Sequence, residues 1–420
     1  MKRVLMVGAG SCQINGIKRL KAMGYQTIVA DYSASSGGKQ LADIAVLADA
    51  FDAKAIERCA QEYKVDAIMT VGTDQPVLTV ALAAEKSGLY TFIPSATALE
   101  VTNKKWMKRI FLEHDIPTAP FTLLSKMDSV EETVQFEGPY VVKPIDSQGQ
   151  RGIFKLNDLK AVESSLDQVL RYSRSDEILV EQFYDNDEVT VSGWVHDGKV
   201  KVLTLTDRVT FSPEQNIGVC TSHEYPSKYS VRYGQEITAL SEKICKVFHI
   251  GEGPIYFQFL IGAGGVLVNE IACRLGGAYE DVTIPYATGV DVLELNILGV
   301  SERALYEDRI KHIYCKGTEM VKPFSTQLFF CRSGKVHEMT SIDQVKAMPF
   351  ILDAGYNFET GDEIPETENA SARVGYAVII GRDEDELQKN ISMFYDLVEV
   401  RNETGDNLMI RQKRNRIESF

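Results

Sequence analysis

The 420-residue chain has no CxxC pair; its seven cysteines, Cys12, Cys59, Cys220, Cys245, Cys273, Cys315 and Cys331, are odd in number and scattered. A disulfide framework is excluded, and reduced thiols are expected. The six histidines, His114, His196, His223, His249, His312 and His337, make neither an HExxH nor a His/Cys ligand cluster, so zinc chemistry is not expected. No run approaches the roughly 18 apolar residues that suggest a membrane span. The start, MKRVLMVGAG, is basic, but glycines interrupt it before an apolar h-region forms; it reads as a folded strand and not as a signal peptide. Basic charge is also short, with 45 Lys and Arg against 59 Asp and Glu for a net charge of −14, and nucleic acid is therefore not an expected partner. Internal repeats and low-complexity linkers are missing too. What is present, 44% hydrophobic and 25% charged residues, is the composition of a cytoplasmic globular protein with roughly two to four domains.

Apolar periodicity orders the elements. Lys2 to Val7 is a short apolar run broken by Gly8-Ala9-Gly10, and through Ile14, Ile17, Leu20 and Met23 the spacing turns helical, giving strand, turn and helix. Tyr25 to Asp31 reads as a strand ending in an acid, 51–63 as a helix, 67–71 as a strand, and 77–87 as a helix running on to a short segment at 90–93. This alternation predicts βαβ units and a parallel sheet. Beyond Lys104 the texture becomes that of a small α+β module, with strands at 121–124, 140–144, 152–156 and 178–183. Val189 to Val195 and Val200 to Leu205 flank Asp197-Gly198, a hairpin turn. One helical face, Ile237, Leu240, Ile244, Val247 and Phe248, precedes paired strands at 255–261 and 266–271. Further strands and a helix near 384–395 fill the last hundred residues, and the basic stretch 411–416 reads as a solvated tail.

The glycine turn Gly8-Ala9-Gly10 follows a strand and opens a helix, yet the third position of a dinucleotide fingerprint holds Gln13. That third glycine gives the helix its close packing, so NAD or FAD is not expected even with Asp31 at the end of the second strand. The helix start at Ser11 to Gln13 offers N–H groups that could hold a carboxylate or phosphate; a plain turn with no ligand fits as well. His223, ahead of Glu224-Tyr225-Pro226, reads as a loop histidine with a structural role.

More specific is an ordered set: Asn103-Lys104-Lys105 opening a helix; Tyr140-Val141-Val142-Lys143-Pro144; the loop Asp146-Ser147-Gln148-Gly149-Gln150-Arg151-Gly152; Ile178-Leu179-Val180-Glu181-Gln182-Phe183 with Glu188; Gln258; and Asn269-Glu270-Ile271-Ala272-Cys273-Arg274. This order resembles the ATP-grasp superfamily over about residues 4–298. Within it, Glu270 to Gly277 and the later Gly361-Asp362 and Arg373-Val374-Gly375 are similar to the L-amino acid ligases, with the carbamoyl phosphate synthetase large subunit and biotin carboxylase as more distant relatives. The resemblance implies an α/β fold: an N-terminal parallel-sheet (pre-ATP-grasp, Rossmann-like) domain at 1–103, an ATP-grasp domain of two α+β subdomains at 104–310 with a mobile lid about 117–187, and a C-terminal α+β extension at 311–420.

It also implies roles. Lys104 and Lys143 neutralise the ATP triphosphate from two sides; Ser147, Gln148, Gly149 and Gly152 belong to a flap over the phosphates. Glu181, with main-chain groups of Gln182 and Phe183, forms the hinge that reads adenine, and Glu188 accepts from the ribose. Gln258 and Glu270 hold magnesium, or manganese in its place; their even separation on consecutive strands lets both face one cleft. Arg274, two residues past Ala272, falls on the same side as Glu270 and stabilises the transferring phosphoryl. The implied activity is a carboxylate-amine ligase forming an amide through an acyl phosphate, with small-molecule acid and amine as partners, no membrane or nucleic acid, and a homodimer left open. A bicarbonate-using carboxylase or a non-catalytic nucleotide-binding protein are the alternatives.

Overall fold

A computed structural model describes residues 1–211, 218–315 and 322–411. The N-terminal unit is a parallel four-stranded sheet in the order Ile44–Leu47, Gln26–Asp31, Arg3–Val7, Ala67–Met69. Along Arg3–Val7, alternate residues enter different cores, Leu5 and Val7 on one face and Val4 and Met6 on the other, all without exposed surface. A parallel strand covered on both faces needs such a continuous apolar run. The segment Tyr90 to Ile93 forms no strand. Phe92 is instead a wedge against Trp194 and Tyr306, with ring centroids at 5.9 and 6.1 Å. Gly299 admits it, because a Cβ there would stand 2.3 Å from the Phe92 ring.

The small α+β module is an antiparallel sheet in the order Phe121–Ser125, Glu177–Gln182, Tyr140–Pro144, Phe154–Leu156. Helix Leu159–Leu170 packs on it through Val162, Leu166 and Val169, against Val142, Ile178 and Val180. Facing this module is an eight-stranded antiparallel sheet, ordered Gly265–Ala272, Gly253–Gly262, Asp187–His196, Lys199–Thr210, Cys220–Tyr225, Phe324–Phe329, Gly375–Ile380, Ile351–Tyr356. Asp197 and Gly198 both have positive φ, 49° and 71°, as a two-residue hairpin turn requires.

The C-terminal strands continue this large sheet, since Cys220–Tyr225 pairs directly with Phe324–Phe329. Position 310/311 falls inside helix Arg303–Cys315. One sheet thus carries both the hairpin of Gln258 and Glu270 and the strand after Arg373. Of the basic stretch 411–416, Arg411 is bonded to Asp396 at 2.7 Å; the remainder lies outside the described residues. Among the described residues no helix is long and apolar enough to cross a membrane.

Candidate active site

The cleft lies between the small sheet and the hairpin Gly253–Gly262/Gly265–Ala272. Lys143 and Glu181 stand on neighbouring strands, and helix Lys104–Glu113 brings Lys104 and Lys108 beside them. Asn103 starts that helix by accepting from Lys105 N at 3.0 Å, which turns the first helical side chain, Lys104, inward. Lys105 points elsewhere, to Glu177.

The charged groups form one connected cluster. Glu181 receives Lys108 at 2.7 Å and Lys143 at 2.5 Å. Lys143 Nζ also donates to Asn269 Oδ1 at 3.2 Å. Lys104 Nζ stands 3.4 Å from Glu270 and donates to the Ser147 carbonyl at 3.0 Å. Lys104, Lys108, Lys143 and Glu181 are buried. Burial opposes the charge on Glu181, but Lys108 and Lys143 outweigh it and hold the carboxyl down at about 2. At Glu270 burial is likewise outweighed, by Lys104 and Lys143, and the carboxyl stays below its ordinary range. Burial also opposes the charge on Lys143, where Glu181 and Glu270 raise the pKa nonetheless.

The hairpin differs in one respect from the even-spacing expectation. Its regular pairs, such as Phe259 with Val268, are separated by odd numbers, which would set Gln258 opposite Asn269. A bulge after Gln258 shifts the register, so Gln258 pairs with Glu270. Asn269 becomes the extra residue, and its Nδ2 donates to Gln258 Oε1 at 3.3 Å. Gln258 Oε1 and a charged Glu270 carboxylate are hard oxygen donors on paired residues. They fit magnesium, which takes few protein ligands and fills its octahedron with water and phosphate oxygens.

Arg274 leaves the strand, which ends at Ala272. Its nearest acid is Asp74 of the N-terminal unit, at 2.6 Å, and the guanidinium lies 4.6 Å from the Tyr256 ring centroid. Glu188 is paired with Arg208, its cross-strand partner. In the flap, Gln148 Oε1 accepts from the amides of Asp74 and Gln75 at 2.8 and 3.1 Å, and the Gly149 carbonyl accepts from Ala370 N at 3.3 Å. Gly152 has φ 74°, and a Cβ there would stand 2.8 Å from Tyr172. At the hinge, Gln182 N donates to Pro120 O at 2.9 Å and Phe183 N to Pro139 O at 2.7 Å, so both amides are engaged within the fold. His223 sits in strand Cys220–Tyr225 and not in a loop. It is enclosed by Thr190 and Thr206 at 3.3 and 3.4 Å; burial, reinforced by Arg208, pushes its pKa down to about 3.

Lys108, Arg208 and Asp74 escaped the sequence reading, and Asn269 was read only as part of its motif, with no role of its own. Lys108 had a signal, lying four residues after Lys104 on the same helical face. Among the described residues the dispersed histidines also yield a group: ligand atoms of His196, Asp197 and Glu252 lie within 4.8 Å of one another, at the far end of strand Asp187–His196 from Glu188.

Beside the start of helix Ser11–Ala22, away from the lysine cluster, two buried polar atoms have no hydrogen-bond partner, Glu280 Oε1 and Arg373 Nε, and the Tyr279 hydroxyl interacts with Ser11. Tyr279 has left-handed backbone, φ 64°, and its ring stacks on Tyr376 at 3.4 Å. Arg373 acts electrostatically on Tyr279, Cys12 and Cys220, so it stands where the N-terminal unit meets the large sheet. Buried groups left unsatisfied in this way are groups a ligand can satisfy.

A family model described as L-amino acid ligase C-terminal domain 2 matches residues 327–403. The L-arginine-specific L-amino acid ligase of Bacillus subtilis is 24% identical over 305 residues, 71% of this chain and 71% of that protein. The formate-dependent phosphoribosylglycinamide formyltransferase of Rhodococcus jostii is 28% identical over 208 residues, 47% of this chain and 51% of that protein; the chain spans about half the length of such formyltransferase relatives. Among solved structures, an L-amino acid ligase from Bacillus licheniformis shares the fold with a TM-score of 0.80 at 16% identity, covering 96% of this chain and 99% of that one. The fold is matched from end to end and the sequence over about seven tenths of the chain, so this chain has the fold of the Bacillus licheniformis L-amino acid ligase and is similar in sequence to the Bacillus subtilis one.

Proposed function

We propose that this chain is an ATP-dependent ligase that joins a small carboxylic acid to an amine through an acyl phosphate, releasing ADP and phosphate. The observation that carries the reading is the convergence of three lysines, Lys104, Lys108 and Lys143, on two carboxylates, Glu181 and Glu270, with burial holding the pKa of Lys108 below its ordinary value. Buried positive charge is costly to a fold unless an anion completes it, and a triphosphate is such an anion.

In this reading Lys143 and Lys104 hold the phosphates, Ser147 to Gly152 covers them, Glu181 to Phe183 borders the base, and Glu188, oriented by Arg208, meets the ribose. Magnesium would be held by Glu270 and Gln258 and supplies neutralisation of charge on the phosphoryl oxygens. The substrate carboxylate oxygen attacks the γ-phosphorus as its bond to the β,γ-bridging oxygen breaks and ADP departs. The amine nitrogen then attacks the acyl carbon, the carbon–oxygen bond to phosphate breaks, and nitrogen loses a proton. Arg274 stabilises the negative charge in both steps. A closed flap keeps water from the acyl phosphate.

Amino acids are favoured as substrates by the match of residues 327–403, which include Arg373 and Tyr376, to an L-amino acid ligase domain. Formate as the acid is the second reading, favoured by the formyltransferase relatives. The test is an ADP-release screen over amino acids and small carboxylates, singly and in pairs, with mass detection of product. Acid plus amine should give stoichiometric ADP, phosphate and amide, and either alone little. A strict bicarbonate requirement, with labelled carbon in the product, would replace the ligase by a carboxylase.

A further inference from the structure

The turn Gly72 to Gln75 touches two separate parts of the phosphoryl-transfer machinery. With its side chain, Asp74 takes two nitrogens of Arg274, Nε at 2.7 Å and Nη2 at 2.6 Å, both on Oδ1. Arg274 Nη1 donates to the Leu275 carbonyl at 3.3 Å, and the Tyr256 ring lies beneath. These contacts fix both the direction and the tilt of the guanidinium. With its main chain, Asp74 donates to Gln148 Oε1 of the flap at 2.8 Å, and Gln75 N donates to the same oxygen at 3.1 Å. The turn is tied once more by Gly72 N to the Leu275 carbonyl, at 3.2 Å.

We propose that Asp74 is a positioning residue: it aims Arg274 and, through its own amide, links that aim to closure of the 147–152 flap. The proposal rests on the ligase reading above. An arginine with five donors on a long stem can adopt many orientations, and charge stabilisation is effective only if the donors are set before the charge develops. Asp74 supplies that setting from another unit of the fold. Burial opposes the charge on Arg274, and the Asp74 carboxylate outweighs it, so the pKa is raised. The flap bonds, by contrast, are neutral amide bonds that can release to admit a nucleotide and re-form behind it. Only with the flap down is the turn held from both sides, so the arginine is fully aimed when the phosphates are covered.

The test uses the full chain, with MgADP as the first ligand, so that it does not wait on the identity of the acid or amine. In the free protein, hydrogen exchange of residues 72–75 and 146–152 should rise about tenfold in Asp74→Asn, because the turn loses its charged anchor. Asp74→Glu should restore much of the protection. MgADP affinity should change by less than about threefold, since the phosphate lysines are untouched, while kcat with the acid and amine falls about 30-fold at constant KM for ATP. Unchanged flap exchange in Asp74→Asn, or no recovery in Asp74→Glu, would overturn the link. A parent chain that exchanges as expected but binds no MgADP would sink the ligase reading, and with it the role of Asp74 in the phosphoryl step, leaving only the structural tie.

Discussion

Two regions of this molecule present the outline of a phosphate seat: the glycine turn at Gly8 to Gly10 and the lysine cluster of the cleft. At the turn, the chain satisfies itself. Asp31, the acid placed for a ribose, instead accepts from Ala9 N at 2.9 Å and Ser33 N at 2.8 Å. Gln13 lies against Gly8 and donates to the Val71 carbonyl at 2.5 Å. Gly38 packs so closely that a Cβ on it would stand 2.8 Å from the Ala9 carbonyl. In the cleft, three lysines gather around two carboxylates. The outline of a site is common to both, and a gathering of buried lysines belongs to one. A glycine pattern records backbone shape, whereas a ligand answers charge that the fold has gathered.

That contrast can be broken at its strongest point by Glu270→Gln, which should lower kcat by two to three decades, about 3–4 kcal/mol, with MgATP still bound; single-turnover kinetics beside calorimetry would separate the two effects. Gln258→Glu should be tolerated. Parental turnover in Glu270→Gln would mean that the cleft is not the reaction centre. Next in size, Lys143→Ala should weaken MgADP binding by about 2–3 kcal/mol, the scale for truncating one partner of a buried charge pair, and titration calorimetry measures it directly.

The turn should behave oppositely. Asp31→Asn should cost roughly 1–2 kcal/mol in urea unfolding by weakening its charge-assisted bonds, yet leave MgADP affinity unaltered; a large loss of affinity would make the turn a nucleotide seat after all. The smallest effect concerns Asp281, beside the helix that follows the turn and bonded by Asn15 Nδ2 at 2.8 Å. Burial pushes its pKa up to about 6 from 3.8. Between those values the native state keeps a proton that the unfolded chain has released, so stability falls as pH rises through that window and the cost persists above it. Asp281→Asn should therefore raise Tm at pH 8, by on the order of 1 kcal/mol of stability, and gain little at pH 4. A gain of equal size at both pH values would remove titration of Asp281 as the cause.

Local order was legible before any coordinates. The parallel N-terminal sheet, the hairpin at Asp197-Gly198 and the lysine at the end of Tyr140–Pro144 follow from apolar period and turn chemistry, which are written within a few residues of each other. Lys108 could have been found by the same means, and was hidden only by its neighbours Lys104 and Lys105. The sequence by itself therefore determined many of the strands and helices and which of their ends carry charge, while edge strand Ile44–Leu47 and the helices between Glu280 and Cys315 went unread in it. Tertiary structure decided the rest. A single bulge chose Glu270 over Asn269 as the partner of Gln258; Asp74 met Arg274 across 200 residues; Asp31 turned inward onto Ala9; and Arg373 came beside Cys12 and Tyr279 because the C-terminal strands extend the large sheet. Such pairings depend on how three sheets pack, and no spacing along the chain encodes them, because packing is set by the sum of many distant apolar contacts and not by any local period.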